Sequence, residues 1–130
     1  MFLLRLDTVR HQVEYCNAGH PPALLLRQDQ VIQLDCGGPV LGAINNARYQ
    51  YGRVKLERGD ALLCYSDGLS ESVNQSEEEF GAGRVVSAAS SAGALNCESL
   101  VFAVLGAVQD FIGTAPRRDD MSLVVMRRFE

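Results

Sequence analysis

With 130 residues and 14.2 kDa, the chain has the length of one domain, because domains take about 100 to 150 residues and a second core would have nothing left to fill it. A composition of 47% apolar and 22% charged residues is ordinary globular material and excludes disordered and fibrous classes. Twelve basic residues against sixteen acidic leave a net charge of −4, and the eleven arginines and Lys55 are scattered singly or in pairs, so no basic run marks a nucleic-acid partner.

The apolar start at Phe2 to Leu6 is interrupted by Arg5 and followed by Asp7, so it offers no h-region of a secretory signal. Phe2, Leu4 and Leu6 alternate, and Val13 and Tyr15 repeat the alternation after a short turn, which predicts a hairpin with one buried face. His11 falls inside that turn and reads as surface filler. Two further runs, Ala23 to Arg27 and Val31 to Leu34, flank a tight turn at Gln28-Asp29-Gln30. Asp35 to Asn46 contains Gly37, Gly38, Pro39 and Gly42 and reads as loop, and strand character returns at Tyr49 to Leu56.

Arg58-Gly59-Asp60 then turns the chain into Ala61 to Tyr65, which is apolar on both parities, as is Leu123 to Met126. Strands of that kind are covered on both faces and belong inside a layered structure. Between them, Asn96 caps a helix from Cys97 to Ile112, whose apolar stripe includes Leu100, Val104, Leu105, Val108 and Phe111, and Gly113 ends it. Gly83 to Ser91 is a shorter helical segment. Strands, then helices, then a strand predict an α+β fold of layered, largely antiparallel sheets.

The longest apolar run, Leu100 to Val108, is half of the roughly 20 residues that a hydrocarbon core needs. No membrane span is expected, and the chain reads as cytoplasmic. Cys16, Cys36, Cys64 and Cys97 lack the close pairs of zinc ribbons and redox dithiols and read as reduced, structural thiols.

Two acidic positions are singled out by where they fall. Tyr65-Ser66-Asp67-Gly68 ends one buried strand, and Arg118-Asp119-Asp120 leads into another. If those strands are antiparallel neighbours, Asp67 and Asp119 meet at one rim of the sheet. Two carboxylates so placed repel unless a cation lies between them, and oxygen donors suit Mg²⁺ or Mn²⁺. The same residues also read as a common Asp-Gly turn and a solvated lead-in. Asn17-Ala18-Gly19-His20-Pro21-Pro22 links two strands, and His20 reads either as a ligand, a proton carrier or a phosphate contact, or as a turn residue bonded to its own loop.

These segments resemble the bacterial phosphatase domain typified by sporulation stage II protein E (SpoIIE) and the stress regulator RsbU, a branch of the metal-dependent (PPM) phosphatases related to protein phosphatase 2C. The resemblance covers about Tyr15 to Arg127. It rests on Asn17-Ala18-Gly19-His20-Pro21-Pro22, Gly38-Pro39-Val40-Leu41-Gly42, Arg58-Gly59-Asp60 with Leu62 through Glu71, Glu79-Phe80-Gly81, and Asp119-Asp120-Met121-Ser122-Leu123-Val124-Val125. Ser66 and Ser122 stand where the family usually has Thr.

The resemblance implies part of an αββα sandwich and hydrolysis of phosphoserine or phosphothreonine on a partner such as an anti-sigma-factor antagonist. Two Mn²⁺ or Mg²⁺ ions would activate a bridging water. By the same resemblance Asp67 and Asp119 are metal-binding and catalytic, Gly68, Asp120, His20, Asn17 and Glu71 support the site, and Asp60 shapes its turn. The complete family domain starts upstream with an early Asp and a Gly-Asp segment absent here. The chain is therefore expected to be a single partial domain over 1–130, weakly active or inactive by itself, and open to self-association through exposed strands. The alternative reading is a non-catalytic pseudophosphatase that binds a sigma-factor regulator.

Overall fold

A computed structural model describes residues 1–92 and 96–129. The chain opens with the hairpin that its alternation dictates: β1 (Phe2–Asp7) pairs antiparallel with β2 (Gln12–Ala18), Leu4 opposite Tyr15 and Leu6 opposite Val13. Val13 and Tyr15 are buried while Glu14 and Cys16 face outward, the period of two expected of a strand with one covered face.

β3 (Ala23–Arg27) and β4 (Gln30–Leu34) form a second hairpin, turned by Gln28 at φ 50°. Within the expected loop, Gly37–Gly38 is a short strand, β5, paired parallel to Asn17 and Ala18. Glycine is required there, because a Cβ on Gly37 would lie 1.7 Å from the Asn17 carbonyl oxygen. The strand expected over Tyr49 to Leu56 is shorter, β6 (Gly52–Lys55), and it pairs with β2. Next come β7 (Ala61–Tyr65), α1 (Asp67–Ser70), α2 (Gly81–Ala92), α3 (Cys97–Ile112) and β8 (Leu123–Arg127).

One sheet holds β1, β2, β5 and β6, and the other runs β4-β3-β7-β8. β3 and β7 alternate between two cores. Leu24, Leu26, Ala61, Leu63 and Tyr65 face α2 and α3, meeting Val85, Leu100, Val104 and Val108. Ala23, Leu25 and Leu62 face the first sheet, meeting Val13, Tyr15 and Leu56. The second sheet is therefore the middle of three layers, which explains why β7 is apolar on both parities.

β8 carries the same pattern but lies at the edge of its sheet, with Val124 58% exposed, so the expectation of an interior strand is corrected there. α3 has the expected bounds: the Asn96 side chain accepts a hydrogen bond from the Ser99 N–H at 2.8 Å, and Gly113 ends the helix at φ 59°. α2 is longer than the segment expected at Gly83 to Ser91. Phe80 and Phe111 fasten it to α3 edge to face at 5.4 Å.

Candidate functional site

Strand register assembles one rim from distant parts of the chain. Tyr65 pairs with Leu123 and Leu24 with Leu63, so the end of β7, the start of β8 and the start of β3 lie side by side. Two hydrogen bonds fasten the first two: the Ser66 N–H donates to the Ser122 carbonyl at 2.9 Å, and the Ser122 N–H donates to Ser66 Oγ at 2.9 Å. The hydroxyl of Ser66 is thus a structural member of the motif, a role that its position one residue before Asp67 did not disclose.

Past Ser66 the chain turns into α1, anchored by the fully buried Leu69. Asp67 opens this turn as an exposed residue, its Oδ1 accepting the Gly68 N–H at 3.0 Å. Gly68 permits the approach of the second acidic segment. A Cβ built on it would sit 2.3 Å from the Asp120 carbonyl oxygen and 3.4 Å from Asp119 Cβ. The Asp-Gly and Asp-Asp motifs are therefore packed against each other at the rim. Among the described residues, Asp119 Oδ1 accepts the N–H of Asp120 at 2.8 Å.

Among the described residues, Asp67, Glu71, Asp119 and Asp120 have no arginine or lysine partner; Arg118, next to Asp119, pairs instead with Glu77 at 2.6 Å. A cavity of about 340 Å³ opens beside the rim and is lined in part by Gly68, Glu71, Arg117 and Asp119. Glu71 is the C-cap of α1, its N–H donating to the Asp67 carbonyl at 2.8 Å.

The Asn17 to Pro22 loop leads into β3 at the same rim. Asn17, 7% exposed, closes the turn in both directions: its Nδ2 donates to the His20 carbonyl and its Oδ1 accepts the His20 N–H, each at 2.8 Å. Gly19 holds φ 75° with Val40 packed against it, which brings the Gly38 to Gly42 loop alongside. His20 Nδ1 lies 3.0 Å from the Pro21 carbonyl, and its ring centroid is 6.3 Å from that of Phe2. Asn17 and His20 thus frame the rim through their own loop.

Asp60 stands at the opposite end of β7 and is 2% exposed. Arg27 clasps it, with Nη2 2.7 Å from Oδ2 and Nε 3.1 Å from Oδ1, and the Glu57 N–H donates to Oδ2 at 2.7 Å. Hydrogen bonding to Asp60 holds the Arg27 guanidinium above its ordinary pKa. The Arg58-Gly59-Asp60 turn therefore serves the fold, as its sequence suggested. Its arginine partner, 33 residues away, carries no local signal.

The oxygen donors of Asp67 and Asp119 fit a hard divalent ion, and neither is neutralised by a basic side chain among the described residues. Among the described residues no group of three or more His, Cys, Asp or Glu is placed to hold a metal. No described helix is long and apolar enough to cross a membrane.

Comparison with known proteins bears on the family and the fold. The family model described as Stage II sporulation protein E (SpoIIE) matches residues 1–129. Phosphoserine phosphatase RsbU of Bacillus subtilis is 28% identical over 132 residues, covering 98% of this chain and 38% of that protein. Protein IcfG of Synechocystis is 28% identical over 87 residues, covering 66% of this chain and 14% of that one. Among solved structures, the SiaA-PP2C domain of Pseudomonas aeruginosa superposes with a TM-score of 0.81 at 20% identity, covering 97% of this chain and 50% of that one. The RsbU and RsbW domains of Rv1364c from Mycobacterium tuberculosis give a TM-score of 0.73 at 26% identity, covering 98% and 35%. The chain thus spans half or less of the length of each of these relatives.

Proposed function

The chain belongs to the SpoIIE family, and on that footing we propose that it is the part of a metal-dependent protein serine/threonine phosphatase domain that contributes Asp67 and Asp119 to the metal site. The observation that carries this reading is the contact of Gly68 with the Asp119-Asp120 backbone, which holds two unneutralised carboxylate-bearing segments together at one rim. Mn²⁺ or Mg²⁺ bound there would supply an activated water and neutralise phosphoryl oxygens. Asp67 and Asp119 would orient the ion. Gly68 and Asp120 set their spacing, while Asn17 and His20 hold the neighbouring loop rigid. Glu71, on the wall of the adjoining cavity, would face the protein substrate.

That substrate is proposed to be a phosphoprotein of bacterial signalling, such as an anti-sigma-factor antagonist. RsbU, named a phosphoserine phosphatase, supports the phosphoserine chemistry. The test is release of inorganic phosphate from a phosphoserine peptide with Mn²⁺ present. Release should require the metal and fall to background in both Asp67→Asn and Asp119→Asn. Release that survives chelation, or that is undiminished in both variants, overturns the proposal.

A second reading has an observation of its own. The absence of a three-residue ligand group among the described residues favours a non-catalytic module that binds a phosphoprotein regulator without hydrolysing it. Brisk turnover by this chain would exclude that reading.

A further inference from the structure

Scattered in sequence, several cations gather in space at the end of the first sheet away from the aspartate rim. A cavity of about 590 Å³ there is lined by Val9, Arg10, His11, Gln12, Lys55 and Arg128. No carboxylate contributes to its wall among the described residues, although acids outnumber bases in the chain as a whole.

Three distant segments build this wall, and hydrogen bonds fix them together. Gln12 pairs with Lys55 across β2 and β6. The Leu56 N–H donates to the His11 carbonyl at 2.8 Å, Arg128 Nη1 donates to the Leu56 carbonyl at 2.6 Å, and the Arg128 N–H donates to the Asp60 carbonyl at 2.9 Å. His11 is held at φ 52°, in the left-handed region, and its turn forms one side of the cavity. The Lys55 ammonium has no hydrogen-bond or ion-pair partner among the described residues. Arg10 spends one N–H on Asp7 at 3.0 Å and makes no other side-chain bond there.

We infer that this cavity is a binding site for a phosphate-bearing small molecule of pyrophosphate size or larger, independent of the aspartate rim. A lysine supplies a compact point charge and an arginine a planar fork of donors, and the two together match the dense charge of linked phosphoryl groups better than single carboxylates. The Gln12 amide and the His11 ring add further donors at the same wall. Space for a nucleotide-sized ligand is present, since small-molecule sites occupy about 300 to 1,000 Å³.

The probe is sodium pyrophosphate, titrated into the chain under EDTA so that no metal links the ligand to Asp67 or Asp119. Amide chemical shifts and titration calorimetry are read together. Saturable one-site binding is expected, with shifts confined to 9–12, 55 and 128. Lys55→Gln, at an exposed position without a side-chain partner, should fold normally and weaken binding roughly tenfold, the scale of one lost charge-assisted hydrogen bond. Shifts scattered over the surface, Lys55→Gln binding as tightly as the parent, or a tetraglutamate peptide binding as tightly as pyrophosphate would each overturn the assignment. Because the metal is chelated throughout, the outcome bears on this site and leaves the phosphatase proposal untouched.

Discussion

Gly68→Ala tests the packing of the two acidic motifs. The added methyl would sit 2.3 Å from the Asp120 carbonyl oxygen and 3.2 Å from its carbon, and these are backbone atoms that cannot swing aside as a side chain would. Gly68 is itself held between the buried β7 and the fully buried Leu69, so the strain must be relieved by displacing the lead-in to β8. Overpacking of this kind costs about 1 to 3 kcal/mol, and the rigidity of the atoms involved places this case near 2. In a domain of this size each kcal/mol lowers Tm by about 3 to 5 °C, so a fall of roughly 6 to 10 °C is expected. Thermal unfolding followed by circular dichroism, with urea unfolding as a second measure, reads the change. The amide resonances of Asp119, Asp120 and Ser122 should shift while those of β1 stay in place. A Tm within about 2 °C of the parent, the effect of half a kcal/mol, would refute the contact.

Asp60→Ala removes a buried carboxylate and leaves the Arg27 guanidinium, 23% exposed, without its clasp; destabilisation of about 2 to 3 kcal/mol in urea is expected, and less than about 1 would deny the pair its structural role. Glu14 is held below its ordinary value of 4.5 by hydrogen bonding from Arg53 and then Arg5, so its contribution is present above that value and lost as pH falls through the folded one. The stability gap between the parent and Glu14→Gln should accordingly shrink as pH falls below 4.5, and a gap independent of pH would contradict the linkage. Burial pushes the Cys64 thiol up, so Cys64 should be the slowest of the four cysteines to react with iodoacetamide at mildly alkaline pH by peptide mass spectrometry; the fastest rate at Cys64 would reverse that argument.

Much of the architecture was legible because the patterns were local. The alternation of Val13 and Tyr15 specified a covered strand face, and Asn96, the stripe through Leu100, Val104 and Val108, and Gly113 specified a helix with both ends marked. β7 revealed its middle position through apolar residues on both parities. The identical pattern in β8 misled, because an edge strand can present Val124 to water while its other residues stay partly covered. Gly37–Gly38 could not be read as a strand, since its pairing depends on close approach to the Asn17 carbonyl rather than on any side chain.

At the candidate site, Asp67 and Asp119 were legible as strand ends that antiparallel pairing would join, and the register of Tyr65 with Leu123 joins those ends. The bond from the Ser122 N–H to Ser66 Oγ and the clasp of Arg27 on Asp60 were not legible, because each links residues whose separation along the chain exceeds any periodic signal. The cationic cavity was hidden for the same reason: Arg10, Lys55 and Arg128 become neighbours only after the hairpin, β6 and the end of β8 are assembled.

Calorimetric titration of Mn²⁺ into the parent chain, Asp67→Ala and Asp119→Ala addresses the shared ion itself. Measurable heat is expected in the parent, weak because the proposed ligand set is partial, and should be lost in both variants while circular dichroism shows each still folded. Heats of equal size in all three proteins would mean that these carboxylates close a turn and lead into a strand, and hold no cation between them.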